Sequence, residues 1–360
     1  MTSSPSVDDH LKNLAAASNG TECDDPTYVV SKYIQFFVPI FYGIPTVVLY
    51  FHIVFAVATC SKKSTLNIAF YKIYSIMAVV TCVMWVWDMT TTRFIATGIW
   101  CHEMLAAYGT PSHFYAPLQF VMTYSRHAQF YSATVLSLNR MTAVVWPVKY
   151  NKIWEGPWKL PQTAAIIFIL PIPSTWYLGP WTRALLARYP MGGLTLTYEK
   201  LLQNPWNSVT WMTMFVGSLC GIVILVSTLV TYINLRNLMR KAEKGKSKTD
   251  VNLLIVGMVS SITTLFLAAV EAPFYIFCNY FMNNYYFFIC TNIKQVLIDI
   301  ILVFSPWSMI VVCTSVRQEI MKIYGYKVPS AVTVVEPTRF NGKIAPSPSH
   351  YSRNSTLSIT

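Results

Sequence analysis

Seven stretches of this chain are apolar over lengths that can cross a lipid bilayer, and this pattern constrains the fold more than any other feature. A spanning helix needs about 20 largely apolar residues to cross about 30 Å of hydrocarbon. Because the hydrocarbon offers no partners for backbone N–H and C=O groups, such stretches must be helical. The predicted spans are residues 36–59, 68–91, 115–138, 161–177, 209–233, 251–278 and 289–313.

The composition excludes a soluble domain and a disordered chain. Only 12% of the residues are charged and 54% are hydrophobic, whereas a soluble domain carries about 25% charged residues. We therefore predict an all-α integral membrane protein whose seven-helix bundle occupies residues 34–325. Residues 1–33 are predicted to form an extracellular tail and residues 326–360 a disordered cytoplasmic tail. Apolar positions at helical spacing in residues 315–324 predict a short amphipathic helix after the last span.

The distribution of basic residues predicts the orientation. Eighteen lysines and arginines fall on one side of the predicted spans and six on the other, and Lys32 and Arg93 are among the six. Since the cytoplasmic loops carry the excess of basic residues, the amino terminus is predicted to lie outside. Asn19 begins an Asn-Gly-Thr sequon and is a candidate glycosylation site. The net charge of +12 is explained by the anionic cytoplasmic leaflet, so we predict no nucleic-acid partner.

Four cysteines fall on or near the outer side, where disulfides persist. They are Cys23, Cys101, Cys278 and Cys290. Cys278 and Cys290 bracket the last outer loop and would close it if paired, which would leave Cys23 to reach Cys101. Four cysteines allow three pairings, and the sequence does not choose among them. No cysteine or histidine spacing typical of a metal site is present, and no cofactor is predicted.

Five ionisable residues lie in the outer halves of the predicted spans, contributed by four helices. They are Asp88, Arg126, Glu271, Lys294 and Asp299. Charges inside a membrane are costly, so they usually pair or line a polar cavity. We predict a polar pocket between the helices that is open to the outside and binds a small molecule. Its candidate walls are Trp87, Tyr124, His127, Phe274, Tyr275 and Gln295.

The same charges also form candidate ion pairs, which we expect between Arg126 and either Glu271 or Asp299. A ligand that displaced one member of a pair would reconcile the two interpretations. Arg126 would suit a carboxylate, whereas Glu271 and Asp299 would suit an amine. The sequence leaves the charge of the ligand open.

Three local patterns resemble those of G-protein-coupled receptors. Leu138-Asn139-Arg140-Met141, with Pro147 seven residues after the arginine, resembles the Asp-Arg-Tyr segment at the inner end of the third span. Glu271-Ala272-Pro273-Phe274 is similar to the proline kink of the sixth span, and Ser305-Pro306-Trp307-Ser308-Met309 is similar to the motif of the seventh. Each pattern is altered, because Asn139, Glu271, Ser305 and Met309 replace the usual residues. Together with the segment that follows Arg140, these alterations resemble the nematode serpentine chemosensory receptors of the class gamma superfamily, either class gamma or its class V relatives.

The resemblance implies a chemosensory receptor rather than an enzyme. It implies a small external ligand, a heterotrimeric G protein as partner and a place in the plasma membrane, specifically the ciliary membrane of sensory neurons. The residues that it assigns to G-protein coupling are Asn139, Arg140, Pro147, Tyr150, Arg240 and Lys241. It assigns the helix kinks of the switch to Pro273 and Pro306.

Other functions remain as alternatives. An ion channel or transporter would use the buried charges as a permeation path, although no internal repeat is present. A retinal protein would need a lysine near the middle of the last span, and Lys294 lies nearer the outer end. No sequence motif of an intramembrane enzyme is present.

Overall fold

The structure is a computed structural model, and its description covers most of the predicted helical region. The described residues are 26–60, 66, 68–109, 112–178, 184–188, 194–198, 209–241, 262–271, 273 and 284–325. Several predictions fall elsewhere, namely those on Asn19, Cys23, Phe274, Tyr275, Cys278 and most of the two tails. The side chains of Arg240 and Lys241 also lie outside the description.

Each predicted span coincides with at least one described helix. In chain order the helices are α1 (Pro26–Thr59), α2 (Ala69–Asp88), α3 (Cys101–Tyr108), α4 (Ala116–Val145), α5 (Pro147–Trp154), α6 (Lys159–Ile169), α7 (Pro171–Thr175), α8 (Val209–Lys241), α9 (Ile262–Glu271), α10 (Asn284–Val312) and α11 (Thr314–Ile323). The first helix begins ten residues before the predicted span, so residues 26–33 at the end of the predicted tail are helical. Helix α11 confirms the short helix predicted after the last span.

Four described helices are long and apolar enough to cross a membrane. They are Val30–Thr59, Ala69–Ala96, Val209–Asn237 and Ile289–Val312. Helix α4 is long enough to cross a membrane but has a more polar sequence. It packs against α2, α6, α7 and α8, and these neighbours shield its polar side chains from lipid. The fourth predicted span is broken into α6 and α7, since Pro171 and Pro173 lack the N–H groups that a continuous helix needs.

Stripes of exposed apolar side chains run along two of these helices. Both stripes repeat with alternating steps of three and four residues, which keeps them on one helix face. They comprise Val30, Ile34, Phe37, Phe41, Ile44, Val48, Phe51 and Phe55 on α1, and Phe215, Leu219, Ile222, Val226, Leu229 and Ile233 on α8. A soluble protein rarely exposes so much contiguous apolar surface. Lipid contact accounts for it, so the chain is a multi-pass membrane protein.

A β-hairpin that was absent from the all-α prediction covers one end of the bundle. Strand β1 (Ala184–Arg188) pairs antiparallel with β2 (Leu194–Tyr198), with Leu186 opposite Leu196. Leu186 and Leu194 are buried against Ile95, Cys101 and Tyr115. We call this the hairpin end of the bundle. The predicted fold class is thus corrected to a helical bundle with one added hairpin.

The opposite end, called the Arg140 end below, carries the short helices α5 and α11. Trp146 leaves the helical conformation between α4 and α5, as expected of a residue before proline. Val316 of α11 is fully buried in the main apolar core. The rings of Tyr324 and His52 stack, and their hydroxyl and Nε2 atoms are in contact, which attaches the end of α11 to α1.

Candidate functional site

Arg93 forms the centre of a buried ion cluster at the hairpin end. Its Nε donates to Asp88 Oδ2 at 2.8 Å, and its two terminal nitrogens bind the Asp299 carboxylate in a bidentate pair at 2.8 and 2.9 Å. Nη1 also donates to the carbonyl of Gln35 at 3.4 Å, and Nη2 donates to the carbonyl of Gln295 at 3.1 Å. All five guanidinium N–H groups therefore have acceptors, and they join α1, α2 and α10. We call this group the Arg93 cluster.

A change in helix geometry brings Arg93 inward. Helix α2 ends at Asp88 and continues as a π-helical segment, Met89–Arg93, before one further α-helical turn, Phe94–Ala96. A π segment inserts an extra residue into the helical period, which rotates the following side chains. Arg93 is only 3% exposed as a result.

This cluster corrects two predictions from the sequence. Arg93 was counted among the basic residues of the outer loops, and it is instead buried within the bundle. Asp299 was a candidate partner of Arg126, but it binds Arg93. Asp88, a candidate ligand residue, binds Arg93 as well. Lys32, also counted outside, is buried in α1. The signal that could have identified Arg93 is its position only five residues after Asp88, near the end of an apolar span.

A second group of buried charges joins α4, α9 and α10. Lys294 Nζ is in direct contact with Glu271 Oε1, and Arg126 Nη1 lies 3.9 Å from the same oxygen. Arg126 and Glu271 are 5% and 0% exposed. The predicted pair of Arg126 and Glu271 is therefore present as a loose contact, and Lys294 is the tighter partner. We call these three residues the Arg126 cluster.

Several buried polar atoms in and beside the Arg126 cluster have no hydrogen-bond partner among the described residues. They are Arg126 Nε, Glu271 Oε2, Thr123 Oγ1 and Gln295 Oε1. Thr123 lies one helical turn from Arg126 on α4, and Gln295 follows Lys294 on α10. Buried polar groups in proteins are nearly always satisfied, so each unsatisfied one needs a reason. Thr123 was missed by the sequence analysis, although its spacing of three from Arg126 places both on one face.

The other candidate wall residues have different positions. His127 is fully buried, and its Nδ1 and Nε2 atoms lie 2.7 Å from Ser174 Oγ and 3.2 Å from Thr213 Oγ1. His127 thus joins α4 to α7 and α8 through hydrogen bonds, and neither ring nitrogen is left for a ligand. The Tyr124 hydroxyl donates to the carbonyl of Phe168 at 2.6 Å, which joins α4 to α6. Trp87 is half-buried on α2.

At the Arg140 end, Arg140 packs on an aromatic ring instead of extending to the surface. Its guanidinium carbon lies 4.5 Å from the centre of the Phe70 ring, a cation–π distance. Its Nε and Nη1 atoms are buried and have no hydrogen-bond partner among the described residues. Arg140 is held inside with unused donors.

Asn139 and Tyr150 join α4 to α5. Their side chains exchange hydrogen bonds of 3.2 and 3.3 Å, and Trp154 Nε1 donates to Thr142 Oγ1 at 2.6 Å. Burial raises the pKa of the Tyr150 hydroxyl, so it stays protonated and able to donate. Pro147 begins α5. These contacts fix the loop that follows Arg140 against the end of α4.

The two predicted kink prolines are both in helical segments. Pro273 is helical where it is described, and α10 runs through Pro306. Beside Pro306, Ser305 Oγ lies 3.0 Å from the Tyr74 hydroxyl and Trp307 Nε1 donates to Thr46 Oγ1 at 3.1 Å. These bonds connect α10 to α2 and α1.

Of the four cysteines on the predicted outer side, the structure describes Cys101 and Cys290. Cys101 is disulfide-bonded, and its partner lies outside the described residues. Cys290 is a buried free thiol. Closure of the last outer loop by Cys278 and Cys290 is therefore wrong. Among the described residues, no group of histidine, cysteine and carboxylate side chains is arranged to hold a metal ion.

These features define a multi-pass membrane protein with charges buried between its helices at one end and an arginine held under the other. The model of the Srg family chemoreceptor matches residues 36–320, so the chain belongs to the Srg family of chemoreceptors. Its similarity to Caenorhabditis elegans serpentine receptor class gamma-9 is 24% identity over 308 residues, 84% of this chain and 86% of that protein. Serpentine receptor class gamma-16 of the same organism is 25% identical over 276 residues, 76% of this chain and 80% of that protein.

Serpentine receptor class gamma-8 of C. elegans is 24% identical over 236 residues, which cover 65% of this chain and 72% of that protein. The predicted class gamma superfamily is thus confirmed, and of the two alternatives class gamma is the one that matches. Members of this family are receptors rather than enzymes.

Proposed function

We propose that this protein is a chemosensory G-protein-coupled receptor that binds a small external ligand at the Arg126 cluster. The family supports a chemosensory role. The site is supported by one observation above all, which is that buried charged and polar atoms at this cluster lack hydrogen-bond partners among the described residues. A ligand that supplies those partners gains a large interaction energy in a site of low dielectric constant.

The topology that this function needs has seven crossings with the amino terminus outside. The hairpin end then faces the exterior and the Arg140 end the cytosol, in the plasma membrane of a sensory cilium. Asn19 would carry a glycan, and residues 326–360 would form the cytoplasmic tail. The excess of basic residues on the predicted inner side supports this orientation.

Coupling would use the Arg140 end. Arg140 has unused N–H donors, and α5 is fixed beside it by Asn139 and Tyr150. A G protein that offered acceptors to Arg140 would stabilise the conformation in which this side chain leaves Phe70. Ligand binding would then shift the population between two packings of the same helices. Arg240 and Lys241 at the end of α8 are further candidate contacts.

The experiment is a screen of small metabolites against the full-length receptor in cells, with cAMP or calcium as the readout. We expect a ligand-dependent response that disappears in cells without the relevant G proteins and in an Arg140→Ala variant at equal surface expression. A normal response in cells stripped of G proteins would refute the coupling. A ligand-evoked current in those cells would instead identify the channel or transporter alternative. The saturated bonds of Arg93 argue against a permeation path through the Arg93 cluster, because such a path needs groups that are free to exchange partners.

A further inference from the structure

The two charged clusters carry opposite net charges. In the Arg93 cluster one arginine binds two carboxylates, Asp88 and Asp299. In the Arg126 cluster two cations, Arg126 and Lys294, share the single carboxylate of Glu271. With every group in its ordinary charge state, the first cluster carries one excess negative charge and the second one excess positive charge. Only the second has a cation that lacks a full partner.

We propose that the ligand is a small organic acid whose carboxylate binds Arg126, and that Glu271 is a built-in competitor for that position. The proposal rests on the proposed function, because it assumes that the ligand binds at the Arg126 cluster. It replaces the choice between acid and amine that the sequence left open. The competitor explains why a carboxylate is kept at the centre of an anion site.

The geometry assigns the two cations unequal roles. Lys294 contacts Glu271 Oε1 closely, whereas Arg126 stays 3.9 Å from that atom and keeps its Nε–H without an acceptor among the described residues. A guanidinium presents a planar fork that fits a carboxylate through two parallel hydrogen bonds. Arg126 is therefore the cation with unused binding capacity, and a monoanion balances the excess charge of the cluster.

An amine has no comparable place among the described residues. Asp88 and Asp299 are both bound by Arg93, which uses all five of its N–H groups in that cluster. Glu271 already has the tethered ammonium of Lys294 in contact. A diffusing amine would have to displace a group that is always present at high effective concentration.

The competitor also suggests how binding reaches the rest of the protein. Glu271 lies on α9, Arg126 on α4 and Lys294 on α10. When a ligand carboxylate takes over Arg126, Glu271 loses one of its two cations and keeps only Lys294. The attachment of α9 to α4 is thereby weakened, while its attachment to α10 is retained. This selective release links the occupancy of the site to the position of α9.

The test uses the full-length receptor in detergent and in membranes, with organic acids, primary amines and alcohols of matched carbon skeleton as probes. Binding is measured as the rise in the thermal midpoint with probe concentration, and coupling as nucleotide exchange on the G protein. We expect acids, and neither amines nor alcohols, to raise the midpoint. Arg126→Gln should weaken the binding of an active acid by about tenfold or more, because a hydrogen bond to a charged group contributes at least that factor. The affinity of Arg126→Lys for the acid should lie between those of wild type and Arg126→Gln.

The decisive measurement is whether Glu271→Gln raises or lowers the affinity for acids. This substitution removes the competitor and leaves both cations, so acids should bind several-fold more tightly. The variant should also be less stable than wild type without acid and recover stability when acid is added. Lys72→Gln, which removes a lysine near the start of α2, is the matched control and should leave acid binding unchanged. If Glu271→Gln is not recovered from cells, the order of acid affinity among wild type, Arg126→Lys and Arg126→Gln still tests the proposal.

The outcomes separate this inference from the proposed function. Acids that bind without causing nucleotide exchange would leave the ligand class intact and remove the receptor mechanism. Amines that cause exchange and lose it in Glu271→Gln would leave the receptor mechanism intact and overturn the anion site. A library in which no acid raises the midpoint, or in which Arg126→Gln binds acids as well as wild type does, would also overturn it.

Discussion

Two arginines lie buried within the helix bundle and are used in opposite ways. Arg93 has two carboxylates and two backbone carbonyls as acceptors, so each of its N–H groups is satisfied. Arg126 has one loose contact with a carboxylate that is bound more closely by Lys294. A buried charge in a fully bonded network holds helices in place, whereas one with unused donors is costly unless something binds it. The difference therefore separates a structural charge from a candidate binding charge.

The largest effect is expected from removing Arg93. Arg93→Met leaves Asp88 and Asp299 buried without their cation, and breaking a buried pair in this way costs about 3–5 kcal/mol. We expect a large drop in surface expression and in the thermal midpoint of the detergent-solubilised protein. The control is the triple variant with Asp88→Asn and Asp299→Asn, which should recover part of the loss. A single variant as stable as wild type would show that the Arg93 cluster is not structural.

His127 tests whether a residue adjacent in sequence to the candidate binding residue Arg126 has a purely structural role. It follows Arg126 directly, but both of its ring nitrogens face hydroxyls on other helices. His127→Phe removes these contacts and should lower the stability by about 1–3 kcal/mol, the cost of unmade buried hydrogen bonds. Thermal midpoints with and without an active ligand measure this. The ligand-induced increment should be the same as in wild type, and its loss would place His127 in the binding site after all.

Removing Arg126 should cost much less stability than removing Arg93. Glu271 keeps Lys294 as its cation in Arg126→Met, so the variant leaves no buried charge without a counter-charge, which is the main cost of breaking a buried pair. We expect a change within about 1 kcal/mol, together with loss of the ligand response. Surface expression and thermal midpoint are compared with those of Arg93→Met. Equal losses in the two variants would erase the distinction between the clusters.

The smallest effect is expected from an ion pair at the surface. Lys322 Nζ lies 3.0 Å from Glu319 Oε1 on α11, and the lysine is exposed. Lys322→Gln should change the stability by less than about 0.5 kcal/mol, because water screens such pairs. The variant serves as a baseline for charge removal in the same thermal assay. A large effect would indicate that α11 depends on this pair and not on the burial of Val316.

The positions of the helices could largely be predicted from the sequence, and the partners of the charges could not. Apolar stretches and helical spacing are local properties, so they located α2, α10 and the short α11 within five residues. Helix α1 begins ten residues before its predicted span, and α8 ends eight residues after its own. The hairpin was missed because its buried residues, Leu186 and Leu194, depend on contacts with the distant Ile95 and Tyr115. The predicted pair of Arg126 and Glu271 is present, but the pair of Arg126 and Asp299 is not.

The amino-acid sequence by itself determined that lipid surrounds this protein, where its helical segments lie and five of the charges between them, because hydrophobicity and helical period act through each residue and its near neighbours. Only the tertiary structure decided which charges neutralise each other. A π-helical segment turns Arg93 inward to Asp299, 206 residues away, and that pairing leaves Arg126 as the cation without a full partner. Coulomb energy depends on distances across the bundle, and those distances are set by the packing of the helices rather than by the order of the residues.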